Sequence, residues 1–406
     1  MKEARYLSAR EAAGELGVSL ATLYAYVSRG LIRSEATGGK KRDRRYRAED
    51  IRRLKERKEQ RRDPGKAAEG ALSWGTPVME SGIALISDDK LYYRGRDVLD
   101  LAAGGTIEEV AALIWTKDPA AANRIFDAEA PVLSPRYGTV RGSVAGLTPV
   151  EAFQVLLPLA AVEDLAAYDL RPAAVARTGA RILRLMAAIA AKYETAVRAV
   201  AETLQRGWSP RDPEAAALLD SALVLCADHE LNVSTFAARC VASSEATPYA
   251  VVIAGLSALR GVKHGGQTEL VEAFLREAEA SDDARKVIAN RLKRGERVPG
   301  FGHSLYPGGD PRGAELLRLT AAVRPRSPAI ALSATVAEEA LDLVGERPTL
   351  DFGLVTLARA LELPPGGAIA LFAIGRTVGW IGHAIEQYGS DSLIRPRARY
   401  VGEQPV

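Results

Sequence analysis

Apolar positions along this chain recur mostly at helical spacing. Ser8-Ala9-Arg10-Glu11 sets a hydroxyl cap and an acid three residues apart, and Ala12, Ala13 and Leu16 then fall on one face, which predicts a short helix. Gly17-Val18-Ser19 breaks it, and Ser19 caps a second amphipathic run from Leu20 to Val27 that ends at Arg29-Gly30. Two short helices about a glycine-containing turn predict a helix-turn-helix. A glycine turn among basic residues, Thr37 to Arg47, predicts a wing, and a further helical run starting at Ala48 includes Ile51 and Leu54.

The pattern then changes. A charged helix end from Glu56 runs into Pro64-Gly65, which predicts a linker over 63–72 between a module at 1–62 and a body at 73–406. Gly82–Ser87 and Lys90–Gly95 are short strand-like runs joined by Asp88-Asp89 and predict a hairpin. Beyond it nearly every segment has helical spacing, as in Ala152 to Ala166 and Arg181 to Val200, so the expected class is mainly all-α. No Gly-x-Gly-x-x-Gly follows a strand and no phosphate-binding loop motif occurs, which argues against nucleotide hydrolysis and a Rossmann-bound cofactor. Met1-Lys2-Glu3-Ala4-Arg5 lacks an apolar leader, and no run of about 18 uncharged apolar residues was found, so a soluble, cytoplasmic protein is expected.

Charge divides the chain as the pattern does. Residues 1–62 hold 18 Lys and Arg against 9 Asp and Glu, whereas the remainder holds 36 against 42. A compact basic module ahead of a mildly acidic body points to a polyanion such as DNA as partner of the first part only. Cys226 and Cys240 are too few and too isolated for a disulfide framework or a zinc site, and no metal centre is expected.

Only four histidines occur, His229, His264, His303 and His383, in segments rich in glycine, arginine or acid. His264 lies in Lys263-His264-Gly265-Gly266 and His303 in Pro299-Gly300-Phe301-Gly302-His303, where glycine lets backbone and ligand approach closely. His229 and Asn232 stand three apart, on one face if helical, and both bind polar ligands without fixed charge. Asp351 is set in apolar sequence, where burial makes an acid a better base. Arg312, Arg376, Arg395 and Arg397 supply planar forks that match carboxylates. Taken singly, Asp351 is compatible with a helix cap and Arg376 with an internal ion pair. Together they suit proton abstraction beside a carbonyl on a di- or tricarboxylate.

Two resemblances carry the reading further. Ala12-Ala13-x-x-Leu16-Gly17-Val18-Ser19-x-x-Thr22-Leu23, followed by Gly30-Leu31-Ile32 and the basic wing, resembles the winged helix-turn-helix of MerR-type regulators and excisionases. It implies that Ser19, Thr22, Tyr24 and Tyr26 lie near the major groove of DNA while Lys40, Lys41, Arg42, Arg44 and Arg45 neutralise phosphate. Asp228-His229-Glu230-Leu231-Asn232, His264-Gly265-Gly266, Pro299 to His303 with Asp310-Pro311-Arg312, Asp351-Phe352, Arg376-Thr377-x-Gly379-Trp380 and Arg395-Pro396-Arg397-Ala398 match, in order, the motifs of the citrate synthase family. Tyr93-Arg94-Gly95 with Glu108-Glu109-Val110 is similar to that family's opening segment.

That resemblance implies a helical large domain with a smaller mobile domain near 220–330, a homodimer in the family's manner, and condensation of acetyl-CoA or propionyl-CoA with oxaloacetate. No cofactor is tightly bound, and coenzyme A serves as co-substrate. By carry-over, Asp351 is the base, His264 and His303 the electrophilic helpers, and His229, Asn232, Arg312, Arg376 and Arg395 the substrate contacts, Arg395 from a neighbouring subunit. His383 carries over no catalytic role. After His303 the family usually continues with Arg, a hydrophobic pair and Lys, but here the run is Ser304-Leu305-Tyr306-Pro307. Lys293, Arg294 and Arg297, with Gly300, Phe301 and Gly302, are the residues expected to hold the coenzyme instead. The fused basic module keeps a second reading open, a metabolite-sensing regulator built on a slow or inactive synthase body.

Overall fold

Ser8 caps helix α1 (Ala9–Leu16) through the expected reciprocal bonds with Glu11, and Gly17 ends it in the left-handed conformation at φ 59°. A computed structural model describes residues 6–28, 31–36, 44–48, 50, 51, 54, 79–127, 135–193, 199–390, 392–398 and 400–403. The expected linker and the wing residues Lys40, Lys41 and Arg42 lie outside them. The chain divides into Met1–Glu80 and Ser81–Val406.

In the first unit α2 (Leu20–Ser28) follows α1, and β1 (Tyr6–Leu7), β2 (Ser34–Ala36) and β3 (Arg44–Arg47) form an antiparallel sheet with β3 central. Ala12, Ala13, Leu16, Leu23, Ile32, Tyr46 and Ile51 fill its core. Arg33 closes a fork on the buried carboxylate of Asp50, at 3.0 and 2.9 Å.

The second unit opens with a three-stranded sheet, β4 (Ala84–Ser87), β5 (Lys90–Tyr93) and β6 (Arg96–Asp97). Asp88 and Asp89 turn its first hairpin at φ 53° and 59°, a left-handed pair that matches strand twist and that aspartate tolerates. Helices follow: α3 (Val98–Gly104), α4 (Ile107–Thr116), α5 (Ala122–Phe126), α6 (Pro135–Ser143), α7 (Pro149–Glu163), α8 (Pro172–Ala190), α9 (Val200–Trp208), α10 (Ala215–Cys226), α11 (Val233–Ala242) and α12 (Pro248–Leu259). After them come α13 (Gln267–Ser281), α14 (Ala284–Lys293), α15 (Pro311–Val323), α16 (Pro328–Val344), α17 (Leu350–Ala360) and α18 (Gly367–Tyr388). Of the helical spacing read over 181–200, Arg181–Ala190 is the later part of α8 and Val200 opens α9: Pro172 starts α8 and Lys192, at φ 61°, lies just past its end.

The main core wraps α18, whose apolar length matches a membrane span by composition alone but whose residues are buried inside the fold, with Arg376 and His383 interrupting them. Gly255 on α12 lies directly against the Trp380 ring, where any side chain would collide. A second core gathers Val271, Phe274, Leu275, Ile288, Val336, Phe352 and Val355 from α13, α14, α16 and α17, with Phe301 from the segment between α14 and α15. It begins later in the chain than the segment near 220, because α10 to α12 belong to the main core.

Candidate functional site

Four turns and two helices converge on one cluster. Residues 227–231, between α10 and α11, form a turn rather than a helix, so His229 and Asn232 do not share a helical face. Asn232 is the cap of α11, its side-chain oxygen accepting from the amides of Ser234 and Thr235, both at 3.1 Å. His229 is 8% exposed, and its Nε2 lies 2.9 Å from the Tyr306 hydroxyl.

His264 sits in the tight turn before α13, where its amide bonds the Gly261 carbonyl at 2.8 Å. Its Nε2 is 2.8 Å from the Ser234 hydroxyl, which also receives the Trp380 indole N–H at 3.3 Å. His303 follows Gly300 and Gly302, whose φ of 82° and 75° suit glycine. Pairing of Phe301 with Pro348 draws this segment beside the start of α17. The Leu305 amide donates to His303 Nδ1 at 3.2 Å. A neutral ring held in that way carries its proton on Nε2.

Asp310 ties the remaining groups together. Its carboxylate accepts from Arg312 Nε and Nη2, both at 2.9 Å, and from the Leu350 amide at 3.1 Å, so one buried acid fixes both Arg312 and the first turn of α17. Asp351 is the next residue, and its Oδ1 is shut off from water without a hydrogen-bond partner. Arg376 is 1% exposed on α18; its Nε donates to the Cys226 carbonyl at 2.8 Å and its guanidinium lies 4.7 Å from the centre of the Phe372 ring. His264 packs edge-on to that same ring at 5.7 Å, and the rings of His229, His303 and Tyr306 lie 4.9 to 5.6 Å from one another.

The electrostatics follow from burial and two arginines. Burial, then the charges of Arg312 and Arg376, push His229 well below the ordinary imidazole range. Burial and Arg376 push His264 down to about 3, and burial with Arg312 lowers His303. All three are neutral hydrogen-bonding groups near pH 7. Burial pushes Asp351 up to about 6, against the pull of Arg312. Burial also works to raise Asp310, but the charge and hydrogen bonds of Arg312 overcome it and hold the acid below its usual range. The result is a buried, positively biased pocket with one uncommitted carboxyl.

The remaining expected contacts stand apart. Arg395 is exposed and makes no hydrogen bond or ion pair with a described residue of its own chain. Lys293 and Arg297 are exposed near Gly300 to Gly302, while Arg294 is spent on Glu296 at 2.6 Å. In the first unit Ser19 and Thr22 bond each other at 2.9 Å, Tyr24 and Tyr26 lie on α2, Arg44 reaches Ser34 at 3.2 Å, and Arg45 pairs with Glu35 while covering the Tyr6 ring. Sequence reading missed Tyr306, Ser234 and Asp310 as parts of the site. Asp310 stands two residues before Arg312 in a motif already noted, and it was the one most open to detection.

Comparison with known proteins gives the same division of the chain. Residues 71–397 match the model of the citrate synthase C-terminal domain and residues 7–66 that of the MerR helix-turn-helix family. The citrate synthase of Haloferax volcanii is 32% identical over 82% of this chain and 95% of its own. The 2-methylcitrate synthase of Mycobacterium tuberculosis is 28% identical over 78% of this chain and 86% of its own. The crystal structure of citrate synthase from Thermotoga maritima superposes with a TM-score of 0.69 at 27% identity, covering 82% of this chain and 95% of that one.

Proposed function

The chain belongs to the citrate synthase family and carries a MerR-type helix-turn-helix ahead of that body, and on this premise we propose that it condenses acetyl-CoA or propionyl-CoA with oxaloacetate, releasing citrate or 2-methylcitrate and free coenzyme A. The observation that carries this reading is the pairing of a raised, unpartnered acid, Asp351, with neutral histidines in a pocket biased by Arg312 and Arg376.

In this reading Arg312, Arg376 and His229 bind the oxo-acid carboxylates, and the positive field that depresses the imidazoles is matched by the dianion. Asp351 takes a proton from the acyl α-carbon while His264 hydrogen-bonds the enol oxygen. The new carbon–carbon bond forms at the ketone, whose developing oxyanion accepts a hydrogen bond from His303 Nε2–H and is neutralised by the proton that Asp351 took from the carbon. Water then cleaves the thioester, the carbon–sulfur bond breaks and coenzyme A leaves as the thiol. The second core is the part that closes over the ligands. A homodimer supplies Arg395 from the neighbouring subunit, which its lack of partners among the described residues of its own chain favours. Exposed Val155, Val162, Leu165 and Tyr168 along α7 and the turn after it offer an apolar face to a second copy. Lys293 and Arg297, exposed cations upstream of Gly300, hold the coenzyme phosphates in this reading.

Thiol release from acetyl-CoA or propionyl-CoA with oxaloacetate tests the reading, with Asp351→Asn as the control. No release above that control ends it. The MerR-type unit and its basic charge favour a second role, DNA binding that responds to the metabolites of the body. Equal DNA affinity with and without oxaloacetate and acyl-CoA defeats that role.

A further inference from the structure

His383 has no part in the chemistry above, yet it is fully buried in α18 at the centre of a polar seam. Its Nε2 stands 3.3 Å from Asp228 Oδ1, a buried polar contact short of hydrogen-bond geometry, and neither atom has a hydrogen-bond partner among the described residues. On its other side Nδ1 meets Arg239 Nη1 at 3.5 Å. A guanidinium only donates, so Nδ1 presents its lone pair and the neutral ring carries its proton on Nε2, on the side that Asp228 occupies.

Asp228 is the residue before His229. Its Oδ2 accepts the Glu230 amide at 3.0 Å, and its own amide donates to the Tyr93 hydroxyl at 3.0 Å. Glu230 stands at φ 52°, a conformation a non-glycine residue holds only when its surroundings impose it. One carboxylate therefore spans His229, bonded to the Glu230 amide on one oxygen and in polar contact with His383 on the other. The seam continues outward: Arg239 Nε donates to Gln387 at 3.1 Å, and Gln387 Nε2 donates to the Ser392 carbonyl at 2.8 Å. The Ile394 amide is in turn held by Ser243 at 3.1 Å, one residue before Arg395.

We propose that His383 is a positioning residue for oxo-acid binding: through Asp228 it holds the His229 turn in the form that presents Nε2 to the substrate. The proposal rests on the reading of His229 as an oxo-acid contact. An apolar residue at 383 takes away the polar contact of Asp228 Oδ1, the carboxylate turns away from the Glu230 amide, and the left-handed turn relaxes. Glutamine preserves the function, because its amide donates to Asp228 while its carbonyl accepts from Arg239.

The test uses the full chain with His383→Leu and His383→Gln. The expected result for His383→Leu is a rise of about tenfold in the oxaloacetate KM, the size of one hydrogen bond to a charged group, with acyl-CoA KM and kcat within about twofold. His383→Gln returns the oxaloacetate KM close to wild type. Nitrogen-15 spectra of histidine-labelled protein supply a readout free of substrate: the signal absent from both variants reports an Nε2-protonated ring, and the His229 signal moves in the leucine variant but not in the glutamine variant. An unchanged oxaloacetate KM, equal damage by both substitutions, a joint fall of kcat, both affinities and thermal midpoint, or an Nδ1-protonated ring overturns the proposal. If wild type neither turns over nor binds oxaloacetate in calorimetry, the functional reading fails, and the ring tautomer and His229 shift still decide the role of His383 in the turn.

Discussion

Asp351→Asn should abolish turnover and at the same time stabilise the protein. Burial moves the folded-state carboxyl from 3.8 up to about 6, so above pH 6 the native state holds an ionised acid whose Oδ1 has no partner. The sign follows from proton binding. Between those two values the folded chain binds a proton that the unfolded chain does not, so this group favours folding increasingly as pH falls and costs most when ionised in both states. The interval corresponds to about 3 kcal/mol, and an amide, which carries no charge, escapes it. Burying the extra amide hydrogens offsets part of the gain, leaving about 1 to 3 kcal/mol at pH 8. Urea unfolding of wild type and variant at pH 8, 6 and 4.5 measures it, with thiol release as the activity check. The variant should lead at pH 8, its lead should shrink at pH 6 and nearly vanish near pH 4, and turnover should fall roughly a hundred- to ten-thousandfold. A variant less stable than wild type at pH 8, or a lead that does not shrink on acidification, refutes the assignment of Asp351 as a destabilised buried base.

Other outcomes follow from the same geometry. Wild-type kcat/KM should fall below about pH 6 as Asp351 takes a proton, and an acid limb near pH 4 in the rate profile would exclude it as base. Arg376→Gln leaves a substrate carboxylate without its fork and should raise the oxaloacetate KM about thirtyfold or more, measured by steady-state thiol release. Tyr306→Phe removes the hydroxyl from His229 and should raise the same KM about fivefold while sparing acyl-CoA, as competitive titrations would show. Affinity of the full chain for DNA should fall steeply with salt in filter binding, and Arg44→Ala should lower the log–log slope by about 1.

Much of the fold was legible because local signals agreed with the final packing. The Ser8–Glu11 box, the Gly17 stop and the Asp88-Asp89 turn each act through their own backbone neighbours, so their sequence spacing was enough to place them. The helical spacing over 181–200 spans the end of α8 and the start of α9 without marking the break between them, because α8 starts at Pro172 and ends before a left-handed Lys192, neither of which alters apolar periodicity. The 229–232 spacing suggested a shared face, but Asp228 bonding the Glu230 amide and Asn232 capping α11 make that stretch a turn.

The sequence by itself determined the division into a basic helix-turn-helix and a helical body, and the identity of the residues able to carry the chemistry, because side-chain type and short-range spacing suffice for both. Only tertiary structure decided which were free to act. Burial raised Asp351 while Arg312 secured Asp310, and burial together with the charges of Arg312 and Arg376 kept three histidines neutral. It likewise turned His383 from an unassigned ring into the link between Asp228 and Arg239. Those properties are fields, desolvation and shared hydrogen bonds among residues up to about 150 positions apart, and they exist only once the chain has brought the groups together.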